Sequence, residues 1–208
     1  SKAEAKSGAG ARNVGVAGSL ALNTVVNTTR AGLEGDADGS GQGAKVNAGN
    51  GDVLIEAGNA TTSTAKAGAD VEMSGDEAKV GVGASVGINV AVNTTTAEVA
   101  DQAVLEGGRN LELKAAASHT MQTEVEGGAA GASVSITPVA AASIAVNTTG
   151  ARLGQSATGL NLSGTYTGRA EQTSIVNTKS AGQAEGDAAV GASLGAAIAV
   201  DTVSATIE

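Results

Sequence analysis

Val80-Gly-Val-Gly-Ala-Ser-Val-Gly-Ile-Asn-Val-Ala-Val92 alternates without a break. The even positions are Val, Ile or Ala, and the odd ones are Gly, Ser, Asn or Ala. A strict two-residue period over thirteen positions is that of an extended strand with one apolar face. Ala content and the Gly83-xxx-Gly87 and Gly191-xxx-Gly195 spacings would also suit packed helices. A helix does not keep a period of two, and Val and Gly are poor helix residues.

The stretch belongs to a repeat. It aligns without gaps to residues 14–26 and 188–200, and residues 134–146 keep its phase. In that copy Pro138 cannot donate to a ladder, so a bend or local break is expected there. Just downstream, Asn27-Thr-Thr recurs as Asn93-Thr-Thr and Asn147-Thr-Thr, then degenerates to Asp201-Thr202-Val203, at offsets of 66, 54 and 54. Ala31, Ala97, Ala151 and Ala205 follow at the same spacing, and Leu33, Val99, Leu153 and Ile207 two residues later.

A second alternating tract lies between the copies. Leu111, Leu113, Ala115, His119, Met121 and Val125 share one parity, as do Val53, Ile55, Ala57 and Val71; a third copy starts at Leu160 and Leu162 and then blurs. Each repeat thus reads as two long strands joined by two turns. The turns are assigned to Asn-Thr-Thr and to Gly-rich pairs such as Gly127-Gly128 and Gly186-Asp187. The twelve extra residues of the first repeat are placed in residues 34–43. The expected fold is all-β: a single repetitive parallel β-solenoid, or β-helix, over residues 1–208, with repeats at 14–79, 80–133, 134–187 and a partial one at 188–208.

A compact coil of about 18 residues per turn would make three rungs of each repeat, with sides near the usual 5–6 residues. The run over residues 80–92 has no corner, and at roughly 3.3 Å per residue it is about 40 Å long. A wide turn using one whole repeat fits better, with the two tracts as opposite walls. Asn93 and Asn147 then become neighbours in adjacent rungs and the Asn-Thr-Thr segments form one row along an edge. The odd-parity face, with Gly81, Ser85 and Ala91, is expected to pack against another sheet or chain, because a face meeting only water usually carries more charge.

Of 208 residues 43 are Ala and 31 Gly; there is no Cys, Phe or Trp, and one each of His, Tyr and Pro. This excludes zinc fingers, thiol nucleophiles and disulfide frames. Twelve basic against 21 acidic residues, with no aromatics to stack bases, argue against nucleic-acid binding. No apolar run approaches the ~18 residues of a membrane helix, so no membrane insertion is expected. Leu, Ile and Val total 40, low enough to permit disorder, but a net charge of −9 is too weak to hold the chain open. The chain opens at Ser1 without an initiator Met or leader pattern and is expected to be a piece of something longer.

The segment over residues 80–95, the Gly-Gly pair and the strand opening Asn110-Leu-Glu-Leu-Lys-Ala115 resemble repeats of filamentous-haemagglutinin-like and leukotoxin-type filamentous adhesins of bacteria. The resemblance covers nearly the whole chain. It implies a β-solenoid stalk at the cell surface, and it carries no catalytic residues. Energetics favour a stack independently. An Ala/Val core buries little area per residue, and only rung-on-rung pairing accumulates enough interface.

Candidate sites are few. Asp36-Ala-Asp38-Gly-Ser40 resembles the oxygen-rich start of a calcium loop, but a solvated Gly turn explains it better, since the later bidentate Glu is missing. His119 has no acid or nucleophile beside it in sequence and is expected at or near the inner face, without a catalytic role. Asn27, Asn93, Asn147, Asn59 and Asn161 each open a glycosylation sequon. Recurrence favours side-chain ladders between rungs instead. Thr61, Thr62 and Thr64, like Thr94 to Thr96, are too irregularly spaced for a flat ice-binding array. No catalytic, cofactor or metal residue is assigned. The reading is a non-enzymatic structural stalk segment of a bacterial surface or secreted adhesin or fibre, its partners being neighbouring repeats or copies of itself, with any host ligand outside the segment. A self-assembling filament or matrix subunit is the alternative, ahead of a calcium-, glycan- or ice-binding module.

Overall fold

A computed structural model describes every residue except 12, 37–42, 74–78, 132 and 156–159, and the described residues contain no helix. In chain order the strands are β1 (Lys2–Ala11), β2 (Val14–Leu33), β3 (Lys45–Gly49), β4 (Val53–Met73), β5 (Val80–Val99), β6 (Val104–Gly107), β7 (Leu111–Ala130), β8 (Val134–Leu153), β9 (Tyr166–Glu185) and β10 (Ala188–Ile207). The first wall has the order β1-β4-β7-β9, the second β2-β5-β8-β10, and β3 pairs with β6 in a small edge sheet. Every pairing is parallel. The fold is therefore a parallel β-solenoid.

One repeat makes one rung. Asn93 is the register partner of Asn147 in the neighbouring strand, as the wide-turn reading requires. A 20-residue strand at about 3.3 Å per residue gives walls roughly 63 Å wide. Each rung adds only about 4.8 Å along the axis.

The residues that point inward on the second wall are the small ones. Along β5 the buried positions include Gly81, Gly83, Ser85, Gly87, Asn89 and Ala91. Val80, Val86, Ile88 and Val92, on the other parity, turn outward to varying degrees.

 By parity Val82 belongs to that outward set, half-covered by its neighbours. The odd-parity face does pack against another sheet, the first wall of the same solenoid.

The reason is the separation of the walls. A Cβ on Gly81 would lie 2.5 Å from the Ala130 carbonyl oxygen, one on Gly83 would strike the Gly128 carbonyl, and one on Gly87 would strike Val125 Cγ2. A bulky inward residue has no room there. At the opposite end of the strands the interior widens. Leu105, Leu111, Leu113, Val99 and Leu153 fill it, and the β3–β6 edge sheet closes it.

The first wall has the opposite character. Leu111, Leu113, Ala115, His119, Met121 and Val125 point inward, on the parity read from the sequence. Its outer face is polar and charged. Glu4, Lys66, Glu124 and Lys179 stand in one register row across the four strands. Lys66 Nζ lies 2.8 Å and Lys179 Nζ 3.3 Å from the Glu124 carboxylate. Alternating signs avoid the like-charge stacking that in-register copies would otherwise impose.

Several expectations need correction. Asn27, Asn93 and Asn147 lie inside β2, β5 and β8, so Asn-Thr-Thr is not a turn. The strands run six residues further, to Leu33, Val99 and Leu153, because the interior ladder holds the Asn extended. Gly127-Gly128 is inside β7, serving close wall contact, whereas Gly186-Asp187 does form a corner. The first wall's last strand begins at Tyr166, not Leu160; Leu160 and Leu162 pack on the core from the preceding loop. The excess of the first repeat is also divided. The register offset falls from 66 across β2–β5 to 59 and then 58 across β3–β6, and from 58 across β4–β7 to 54 across β5–β8. Seven extra residues therefore lie between Leu33 and Lys45, one at the β3 irregularity and four between Ala69 and Val80. At Pro138 the β5–β8 ladder skips from Val82↔Ile136 to Ser85↔Val139, the local break expected of a missing N–H.

Two substitutions test the wall separation. Gly83→Val should lower stability by about 3 kcal/mol or prevent folding, because the obstacle is backbone. Ser85→Arg with Ala91→Arg should abolish the fold by burying unpaired charge. Thermal melts followed by circular dichroism measure both, and an unchanged melting temperature would contradict the close approach.

Candidate functional site

The interior holds the most developed polar constellation. In-register stacking puts Asn147 beside Asn93 and Asn89 beside Asn23 in neighbouring rungs, so an amide can find its partner in a copy of itself. Asn93 Nδ2 donates to Asn147 Oδ1 at 2.8 Å, and Asn147 Nδ2 donates to Asp201 Oδ1 at 2.8 Å. Asn27 leaves this row and donates across the interior to Asn59 Oδ1 at 2.9 Å. A second network joins Asn23 Nδ2 to Ser63 Oγ at 2.9 Å and to Asn89 Oδ1 at 3.1 Å. A third runs from Thr178 Oγ1 to Ser143 Oγ at 2.6 Å and on to Thr123 Oγ1 at 2.7 Å. The fixed recurrence of Asn made the first row legible; the Ser and Thr links depend on wall-to-wall register that no motif announces.

His119 sits on the inner face of β7, 5% exposed, its Nδ1 2.7 Å from Thr61 Oγ1. Burial pushes its pKa below the ordinary 6.5, with a smaller opposing pull from Asp201. The pair superficially resembles a base beside a hydroxyl. Its surroundings, including Asn93, Met121 and Asn147, leave a cavity of only about 10 Å³. That is no larger than a single water requires, so a substrate has no place beside the hydroxyl.

At the wide end Glu98 is 8% exposed and paired with Arg30 and, at 3.9 Å, Arg152. Arg152 also reaches Asp101 at 2.8 Å and Glu208 at 2.7 Å, and these carboxylates raise its pKa. This is a cross-rung ion network. Lys66 and Lys179 similarly hold the Glu124 carboxyl below its ordinary range.

The remaining candidates separate. Asp36 is described, whereas Asp38 and Ser40 lie outside the described residues. No group of three His, Cys, Asp or Glu among the described residues stands close enough to hold a metal. Asn93 and Asn147 are buried and cannot accept a glycan in the folded state, while Asn161 is exposed. Thr28, Thr94, Thr148 and Thr202 align in one outward row, as the recurrence of Asn-Thr-Thr implies.

No protein family, curated protein or solved structure matches this chain.

Two measurements probe the interior. Asn147→Ala should cost about 1–3 kcal/mol, since it leaves the buried Asn93 Nδ2 unpartnered. A lowered folded pKa at His119 means that the unfolded chain takes up its proton first as pH falls. Its contribution to stability is thus present above about pH 6.5 and lost progressively below it. Denaturant titrations between pH 7 and 5, above the main carboxylate range, should show this loss. His119→Gln should flatten the slope.

Proposed function

We propose that the chain is a non-catalytic structural segment of an extracellular bacterial stalk or fibre. The observation that supports this reading is the in-register stack: parallel ladders run through all four rungs, with a local break at Pro138 and unpaired strand edges at both ends. Stacked rungs accumulate stability along an array, which suits a segment that spans distance. Surface localisation and kinship to filamentous adhesins rest on the sequence resemblance.

The same open edges favour a second reading, a filament subunit. The β9/β10 end of one chain can meet the β1/β2 end of another with the same strand polarity, a head-to-tail contact that propagates.

Electron microscopy of the purified chain distinguishes the two. A stalk segment gives isolated slabs about 63 Å wide, whereas a filament subunit gives long polymers. Pulling on the chain ends supplies a mechanical test. Rung-by-rung detachment of 54-residue units should free about 180 Å per event at roughly 3.4 Å per residue. Unfolding in a single event at negligible force would count against a load-bearing role.

A further inference from the structure

The outer face of the second wall is left uncovered by everything described so far. Over residues 14–26, 80–92, 134–146 and 188–200, its outward positions are aliphatic, Gly, Pro or the single Thr24, and none is charged. Leu20, Val26 and Leu194 expose 65%, 74% and 67% of their surface. Seven outward positions on each of four strands, at roughly 6.7 by 4.8 Å per position, make a face of about 900 Å². Parallel sheets normally have both faces covered. A contiguous apolar patch of this size marks an interaction site.

We infer that this face docks against the same face of a second copy of the chain, with a two-fold axis parallel to the solenoid axis. Its area is that of a standard interface, about 800 Å² per partner. On β2 and β5 its relief is self-complementary. Place the axis over the row containing Leu20, Val86, Ala140 and Leu194. Gly18 then faces Leu22 of the other copy, and Ala84 faces Ile88, so small meets large on these two strands, while Pro138 faces Ala142 and Ala192 faces Ala196, small on small. The row Val26, Val92, Val146 and Val200 falls opposite the row beginning at Val14. Just beyond it the outward Thr row and the Glu98 ion network form a polar rim, as interfaces between proteins have. A lipid surface fits less well. The face has no Trp, Tyr, Lys or Arg to anchor it at a headgroup layer, and the chain carries a net charge of −9.

Sedimentation equilibrium of the chain at micromolar concentrations tests the inference. Wild type should behave as two copies of 19.7 kDa. Val86→Lys with Ile144→Lys should weaken dimerisation at least 100-fold while leaving the β-sheet circular dichroism intact, because both side chains already face outward. Thr62→Lys with Gln122→Lys, exposed and not register partners on the outer face of the first wall, should leave the dimer unchanged. A wild-type monomer at tens of micromolar overturns the inference. So does a dimer that survives the Val86/Ile144 pair, which would place the contact at the open ends. Wild type that stays monomeric but binds neutral phosphatidylcholine vesicles would reassign the face to lipid.

Discussion

The distance between the two walls governs the rest of the structure. At the narrow end, backbone carbonyls of the first wall stand where a Cβ of Gly81 or Gly83 would be. The second wall must therefore turn its smallest residues inward. Since strand side chains alternate, the bulky aliphatics on the other parity have only the outside left to them. Widening of the interior toward Leu105, Leu111 and Leu153 then calls for the β3–β6 edge sheet as a lid. Wall separation, apolar exterior and edge sheet are three results of one packing condition.

An interior of Gly, Ala, Ser, Asn and Thr buries less apolar area than one of Leu and Ile. Hydrogen bonding compensates in part. A buried amide in an irregular core needs a partner built for it, and an unmet one costs about 1–3 kcal/mol. Here translation by one rung supplies the partner, as Asn93, Asn147 and Asp201 illustrate. Stacking would be harmful to charges, and the row Glu4, Lys66, Glu124, Lys179 shows how it is managed: signs alternate where the amides repeat.

Period two over residues 80–92 was enough to read the strands, and the recurrence of whole copies at 66, 54 and 54 residues was enough to read the rung. That the small-residue face packs was legible in its lack of charge. That Val86 and Ile144 would lie outside was not, because the choice is made by Val125 and the Gly128 carbonyl on the opposing wall. Asn-Thr-Thr was misplaced at a corner because Asn favours turns in isolation; stacking on itself keeps it extended. The Thr61–His119 contact had no sequence signal. First-wall strands repeat at 62, 58 and 55 residues, so their partners do not follow the second wall's spacing.

The wide rung also shapes how the chain acquires its structure. Second-wall neighbours are 54 to 66 residues apart, about 0.3 of the 208-residue length, and pairings this non-local are slow to form. One rung alone has no ladder to join, so a nucleus must bring two complete turns together, roughly half the chain, before its first inter-rung bonds form. Every later turn meets a finished edge with its register already displayed. Assembly is therefore slow to begin and templated once begun, and an exposed rung edge carries the information needed to extend the stack.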